Sequence, residues 1–163
     1  ARTMKRQRGM VLLTALILSL LLGLLAAAAL REALLQTRMA GLLLASSQAL
    51  EQAEAVLLEG AARLAVAPPN ECQLCSPPAD SHDVNAAGGD WQAAGQGWFN
   101  LQNLGQSDRA AHLPVGTQAT LYRVTAVSQQ TRARHVLEAV YAQPADPSQA
   151  LQRILWRQRV QEQ

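Results

Sequence analysis

From Met10 to Leu30 the chain carries no charged residue, and most positions are Leu or Ala. A helix needs roughly 20 such residues to cross a bilayer, and this run is long enough. The run accounts for a skewed composition. Hydrophobic residues are 49 % of the 163 and charged residues only 16 %, against about 25 % charged in an ordinary globular protein. Such a chain is too apolar to be disordered. A freely soluble cytosolic protein is disfavoured, because nothing so uniformly greasy stays in water unless another surface covers it.

The formal charge of +2 comes from one end. Arg2, Lys5, Arg6 and Arg8 precede Met10, with no acid among them. Without those four, 10 basic residues stand against 12 acidic, a balance of −2. No broad basic field for nucleic acid remains. Cations on one flank of an apolar run keep that flank cytoplasmic and send the residues after Leu30 across the membrane. Cys72 and Cys75 then lie on the far side, where a bacterial periplasm oxidises thiols.

The helical pattern does not stop at Leu30. Leu34, Leu35, Met39, Leu42, Leu43, Ala49, Leu50, Ala53, Val56, Leu57, Ala61 and Leu64 recur at three- and four-residue steps. This is an amphipathic stripe that needs a partner. No proline occurs before Pro68, so Met10 to about Val66 reads as one helix, roughly 85 Å long at 1.5 Å per residue. Pro68 and Pro69 end it, since proline removes a donor and restrains the residue before it. Residues 67–116 are rich in Pro and Gly, with a short strand near Gly97–Leu101 and Trp91, Trp98 and Phe99 as packing anchors. Trp156 is expected to be a core anchor too. Alternation over Thr120–Ser128 and Arg134–Ala142, joined by the polar Gln129–Arg132, predicts an antiparallel hairpin. The tail from Ser148 reads as a short strand or a helix.

The expected fold class is α+β: a long N-terminal helix, membrane-spanning in its first half, packed on a small antiparallel sheet. The divisions are a leader at 1–9, a spanning segment at 10–30, an amphipathic half at 31–66 and a head at 67–163. The stripe Leu34–Leu64 should be buried by one face of the hairpin.

The junction Lys5-Arg6-Gln7-Arg8-Gly9-Met10 ends a basic leader in glycine and starts the apolar helix at once. An ordinary secretory signal places its small-residue cleavage site after the apolar run. Together with Thr37-Arg38-Met39-Ala40-Gly41 and Gln52-Ala53-Glu54-Ala55, this junction resembles the PilX-like minor pilins of type IV pili, over roughly the first 60 residues. The segment Tyr122-Arg123-Val124-Thr125 through Val140-Tyr141-Ala142 is similar to that family's C-terminal end.

The resemblance implies a prepilin of the bacterial inner membrane, cut after Gly9 by a prepilin peptidase and methylated on Met10. It implies a pilin-like fold and a structural role, priming or modulating pilus assembly in support of twitching, adhesion or aggregation. The implied partners are the major pilin, other minor pilins, the inner-membrane assembly platform and the lipid bilayer, with the finished subunit in a pilus at the cell surface. Thr14, Gly23, Arg38, Met39, Gly41 and Glu54 are the expected subunit-interface residues. Most pilins carry a glutamate where this chain has Thr14, and that departure points to a tip or initiation position. The plainer reading is that Thr14 back-bonds to its own helix.

Cys72-Gln73-Leu74-Cys75 has a redox-like spacing, but prolines on both sides disfavour a thioredoxin-type strand and helix. A local disulfide is the favoured reading. Free thiols, exchange chemistry, and zinc held with His82 and Asp80 or Asp83 are the alternatives, and a closed zinc site ordinarily has more Cys or His ligands. No metal or cofactor is expected. Ser46-Ser47 sits in no nucleophile elbow, and His82, His112 and His135 are scattered, so no enzyme is expected. The competing functions are a minor pseudopilin of type II secretion, a secreted periplasmic binding protein cut near Ala26–Ala29, and a periplasmic thiol enzyme using Cys75.

Overall fold

Leu and Ala are strong helix formers, and they carry a single helix, α1, from Met4 to Val66 in the computed structural model. The structure describes residues 4–78, 90–129 and 132–159, with side chains from residue 9 onward. The Ala67 amide still donates to the Arg63 carbonyl at 2.8 Å. Pro68 and Pro69 then stop the helix. Asp80, His82 and Asp83, named as possible zinc ligands, lie outside the described residues.

The chain divides into two units between Leu43 and Leu44. In the first, every residue from Gly9 to Leu43 is exposed. This stretch is long and apolar enough to cross a membrane.

The second unit pairs the rest of α1 with a five-stranded sheet. Its strands are β1 (Gln92–Ala94), β2 (Gly97–Ser107), β3 (Ala119–Ser128), β4 (Val136–Pro144) and β5 (Gln152–Arg159). They lie in chain order as an antiparallel meander. Facing pairs Tyr122↔Tyr141, Val124↔Ala139 and Ala126↔Leu137 set the register of the central hairpin. Successive side chains on a strand point to opposite faces. Tyr122, Val124, Ala126, Leu137, Ala139 and Tyr141 therefore share one face, where Phe99 joins them against Ala53, Val56, Leu57 and Leu64 of α1.

The helix face is built mostly of small residues. Ala45, Ala49, Ala53, Val56, Leu57, Gly60 and Leu64 are the buried positions, spaced by three and four. Ala49 and Ala53 let the helix backbone come close to the sheet. Gly60 does so further: a Cβ there would sit 2.7 Å from Val124 Cγ1 and 3.3 Å from the Phe99 ring.

The stripe read from Leu34 to Leu64 is buried only from Ala45 onward. Leu34, Leu35, Met39, Leu42 and Leu43 are all exposed. The core of the head takes in only the turns from Leu50 to Leu64, with Ala45 and Ala49 buried just before them. The strand expected near Gly97–Leu101 runs to Ser107 and crosses a bulge between Asn103 and Gly105. Gly105 takes φ +92° there, which an L side chain resists. The tail is a strand, β5, and its Trp156 is 44 % exposed rather than a core anchor.

The outer face of the sheet is also covered. At one end Ala110 packs on Ala119 and Ala142, with Leu113, Leu121 and Ile154 around them. At the other end the segment Cys75–Pro78 is bound to it by side chains of the sheet. The architecture is α+β, one long N-terminal helix packed on a small antiparallel sheet, and is consistent with a pilin-like layout.

Candidate functional site

The residues picked from sequence do not converge on a pocket. Gly9, Met10, Thr14, Gly23, Arg38, Met39, Gly41 and Glu54 are strung along α1, and all are exposed. Met10 is 71 % exposed and Met39 66 %, so these side chains are available to a second molecule. The Thr14 hydroxyl donates to the Val11 carbonyl at 2.9 Å. Ser19 and Thr37 bond back to Leu16 and Ala33 in the same way. The hydroxyls of Thr14, Ser19 and Thr37 are thus satisfied within α1 itself. A Cβ on Gly23 or Gly41 would meet nothing within 4 Å, so packing inside the chain does not require glycine at either position.

In the head, Cys72 and Cys75 are joined as a disulfide. The loop is tied to the sheet on both sides of the bridge. The Cys72 amide donates to the Asn103 carbonyl at 3.0 Å. Arg123 donates to the Cys75 carbonyl at 2.9 Å, Gln102 to Ser76 at 2.8 Å, and Arg159 to Pro78 at 2.8 Å.

Beside this segment a polar row crosses four strands. Register places Asn100 beside Thr125, Thr125 beside Glu138, and Glu138 beside Arg157. Asn100, Thr125 and Glu138 are buried. A buried carboxylate needs a cation, and Arg157 supplies one, with Nε at 2.9 Å and a terminal nitrogen at 2.7 Å from Oε1. Arg123 stands 3.7 Å from the same oxygen. Glu138 Oε2, Asn100 Oδ1 and Thr125 Oγ1 have no hydrogen-bond partner among the described residues. The row therefore has room in its bonding for ordered water.

A third cluster ties α1 to the start of β4. Ser46 Oγ lies 3.0 Å from His135 Nε2, and the Gln158 amide contacts His135 Nδ1. The order nucleophile, imidazole, orienting amide resembles a hydrolytic triad. Ser46, however, sits in mid-helix, where neighbouring amides are committed to α-helical bonds and none is free to hold an oxyanion. The cluster is a structural tie between elements.

Sequence reading missed the row and the tie. The row left a signal: in the predicted hairpin Glu138 shares a face with Val136 and Val140, so an acid falls on an otherwise apolar side. The tie joins residues 89 apart and left none. Near Tyr141 burial pushes the phenol pKa up, and the adjacent Arg153 pulls it partly back.

Among the described residues no group of His, Cys, Asp and Glu is arranged to hold a metal ion. The exposed apolar half of α1 is the feature most in need of a partner. No family model, curated protein or solved structure matches this chain.

Proposed function

We propose that the chain is a minor pilin, a structural subunit that primes or modulates type IV pilus assembly, at a tip or initiation position. The observation that carries the reading is one helix with two surroundings. From Gly9 to Leu44 it is exposed on every side, and from Ala45 it is built into the head. A naked apolar helix is stable in lipid, and equally in a bundle of similar helices that cover one another. The same segment serves as membrane anchor before assembly and as fibre core after it.

The basic-to-apolar junction at Gly9-Met10 supports processing by a prepilin peptidase at the cytoplasmic edge, leaving the helix on the mature subunit. The inner membrane, its assembly platform, the major pilin and other minor pilins are the partners that follow. Thr14 supports the tip position, because its hydroxyl is used up within its own helix and offers no carboxylate to a neighbour's terminal amine. If Thr14→Glu left the subunit's place in the fibre unchanged, the tip assignment would lose its support. The role is mechanical, with no substrate and no cofactor.

The test is the mass of the N-terminus after expression in cells with and without a prepilin peptidase. The expected product begins at a methylated Met10, and only when the peptidase is present. A terminus near Leu30, or an uncut chain in both strains, overturns the proposal.

A further inference from the structure

The two edges of the sheet are unlike. An edge strand shows a row of unpaired amides and carbonyls that can template another strand. β1 is 3 residues long, too short to template much. β5 is 8 residues long and exposed along nearly its whole length. Its inner side pairs with β4, and among the described residues nothing pairs with its outer side.

Its side chains are selective. Arg153, Arg157 and Arg159 are its charged residues, and the strand Gln152–Arg159 contains no acid. Arg157 is neutralised by Glu138, which leaves a net positive edge. Leu155 is 45 % exposed and Trp156 44 % exposed. They stand opposite Val140 and Ala139 of β4, one on each face of the sheet. Arginines alone would be an ordinary guard against edge pairing. A guard does not need an exposed leucine and tryptophan side by side.

We infer that β5 is a strand-addition site for an extended, acidic segment of a different protein chain. Main-chain hydrogen bonds would supply affinity and alternate side chains specificity. Carboxylates opposite Arg153 and Arg159 match the charge, and apolar residues opposite Leu155 and Trp156 cover them. The same charges disfavour a second copy of this chain, since two antiparallel β5 strands set arginine against arginine. The inference rests on the head alone and is independent of the pilin assignment.

The test uses the full chain in detergent micelles and an eight-residue peptide of Glu and Val, with Glu placed opposite Arg153 and Arg159 and Val opposite Leu155 and Trp156. Three probes are compared: this peptide, its Lys–Val counterpart, and the Glu–Val peptide N-methylated at alternate amides. Amide exchange of β5 is read by mass spectrometry or NMR. The expected result is at least tenfold slower exchange, confined to β5, with the acidic peptide only, and its loss in Arg153→Glu. Equal protection by acidic and basic peptides overturns the inference. So does protection that survives N-methylation, since that is charge attraction without strand pairing. Protection without peptide that rises with protein concentration assigns the edge to a second copy, and protection by anionic lipid assigns it to a membrane surface; either outcome also overturns it.

Discussion

Leu57 and Leu58 are neighbours on α1 with opposite fates, and aspartate at each separates them. Leu57 is 2 % exposed, inside the core with Val56, Phe99 and Leu137. Leu58 is 65 % exposed. Removing a buried leucine side chain costs about 2–5 kcal/mol. A carboxylate left there without a partner adds several kcal/mol or must take up a proton. The sum is comparable with the whole stability of a domain, about 5–15 kcal/mol. Leu57→Asp is therefore expected to abolish cooperative melting of the head. Leu58→Asp should cost no more than about 0.5 kcal/mol, roughly 2 °C for a head of this size. The assay is thermal melting of the full chain in detergent, followed by near-UV circular dichroism and tryptophan fluorescence. Far-UV signal would be dominated by α1. A Leu57→Asp melt within about 4 °C of the parent would refute the packing of α1 on the sheet, as would an equal loss in Leu58→Asp.

Gly60→Ala sets two effects against each other. Helix propensity favours alanine by about 1 kcal/mol, but the new Cβ falls 2.7 Å from Val124 Cγ1, and overpacking costs about 1–3 kcal/mol. The expected outcome is a lower Tm, and a rise would show that the helix and sheet are not in close contact there. Replacing Cys72 and Cys75 together by serine should cost about 2 kcal/mol, the closure entropy of so short a loop, with the loop still tied through Arg123 and Gln102. An unchanged Tm would show that the bridge contributes nothing. Tyr141 has its pKa raised above 10.0 by burial, so above pH 10.0 the unfolded chain loses the proton first. Stability then falls as pH climbs toward the folded value. Melts of Tyr141→Phe across that range should show a smaller alkaline loss than the parent, and identical slopes would count against a buried phenol.

Much of the fold can be read from residue order because its causes are local. The uncharged run, the absence of proline before Pro68 and the Leu and Ala content specify α1 and its end. Alternation specifies β3 and β4 and sorts their side chains into two faces, Glu138 included. Tertiary structure decided the rest. Leu34–Leu43 and Ala45–Leu64 carry the same three- and four-residue period, so pattern alone does not tell which turns meet the sheet. Burial follows the small residues Ala45, Ala49, Ala53 and Gly60, and small size matters only once a surface lies opposite. The strand β2 is mostly polar beyond Leu101, and its ladder with β3, not its own propensity, holds it extended. The exposure of Trp156 follows from β5 lying at the edge of the sheet among the described residues, a fact of sheet order that no local pattern encodes.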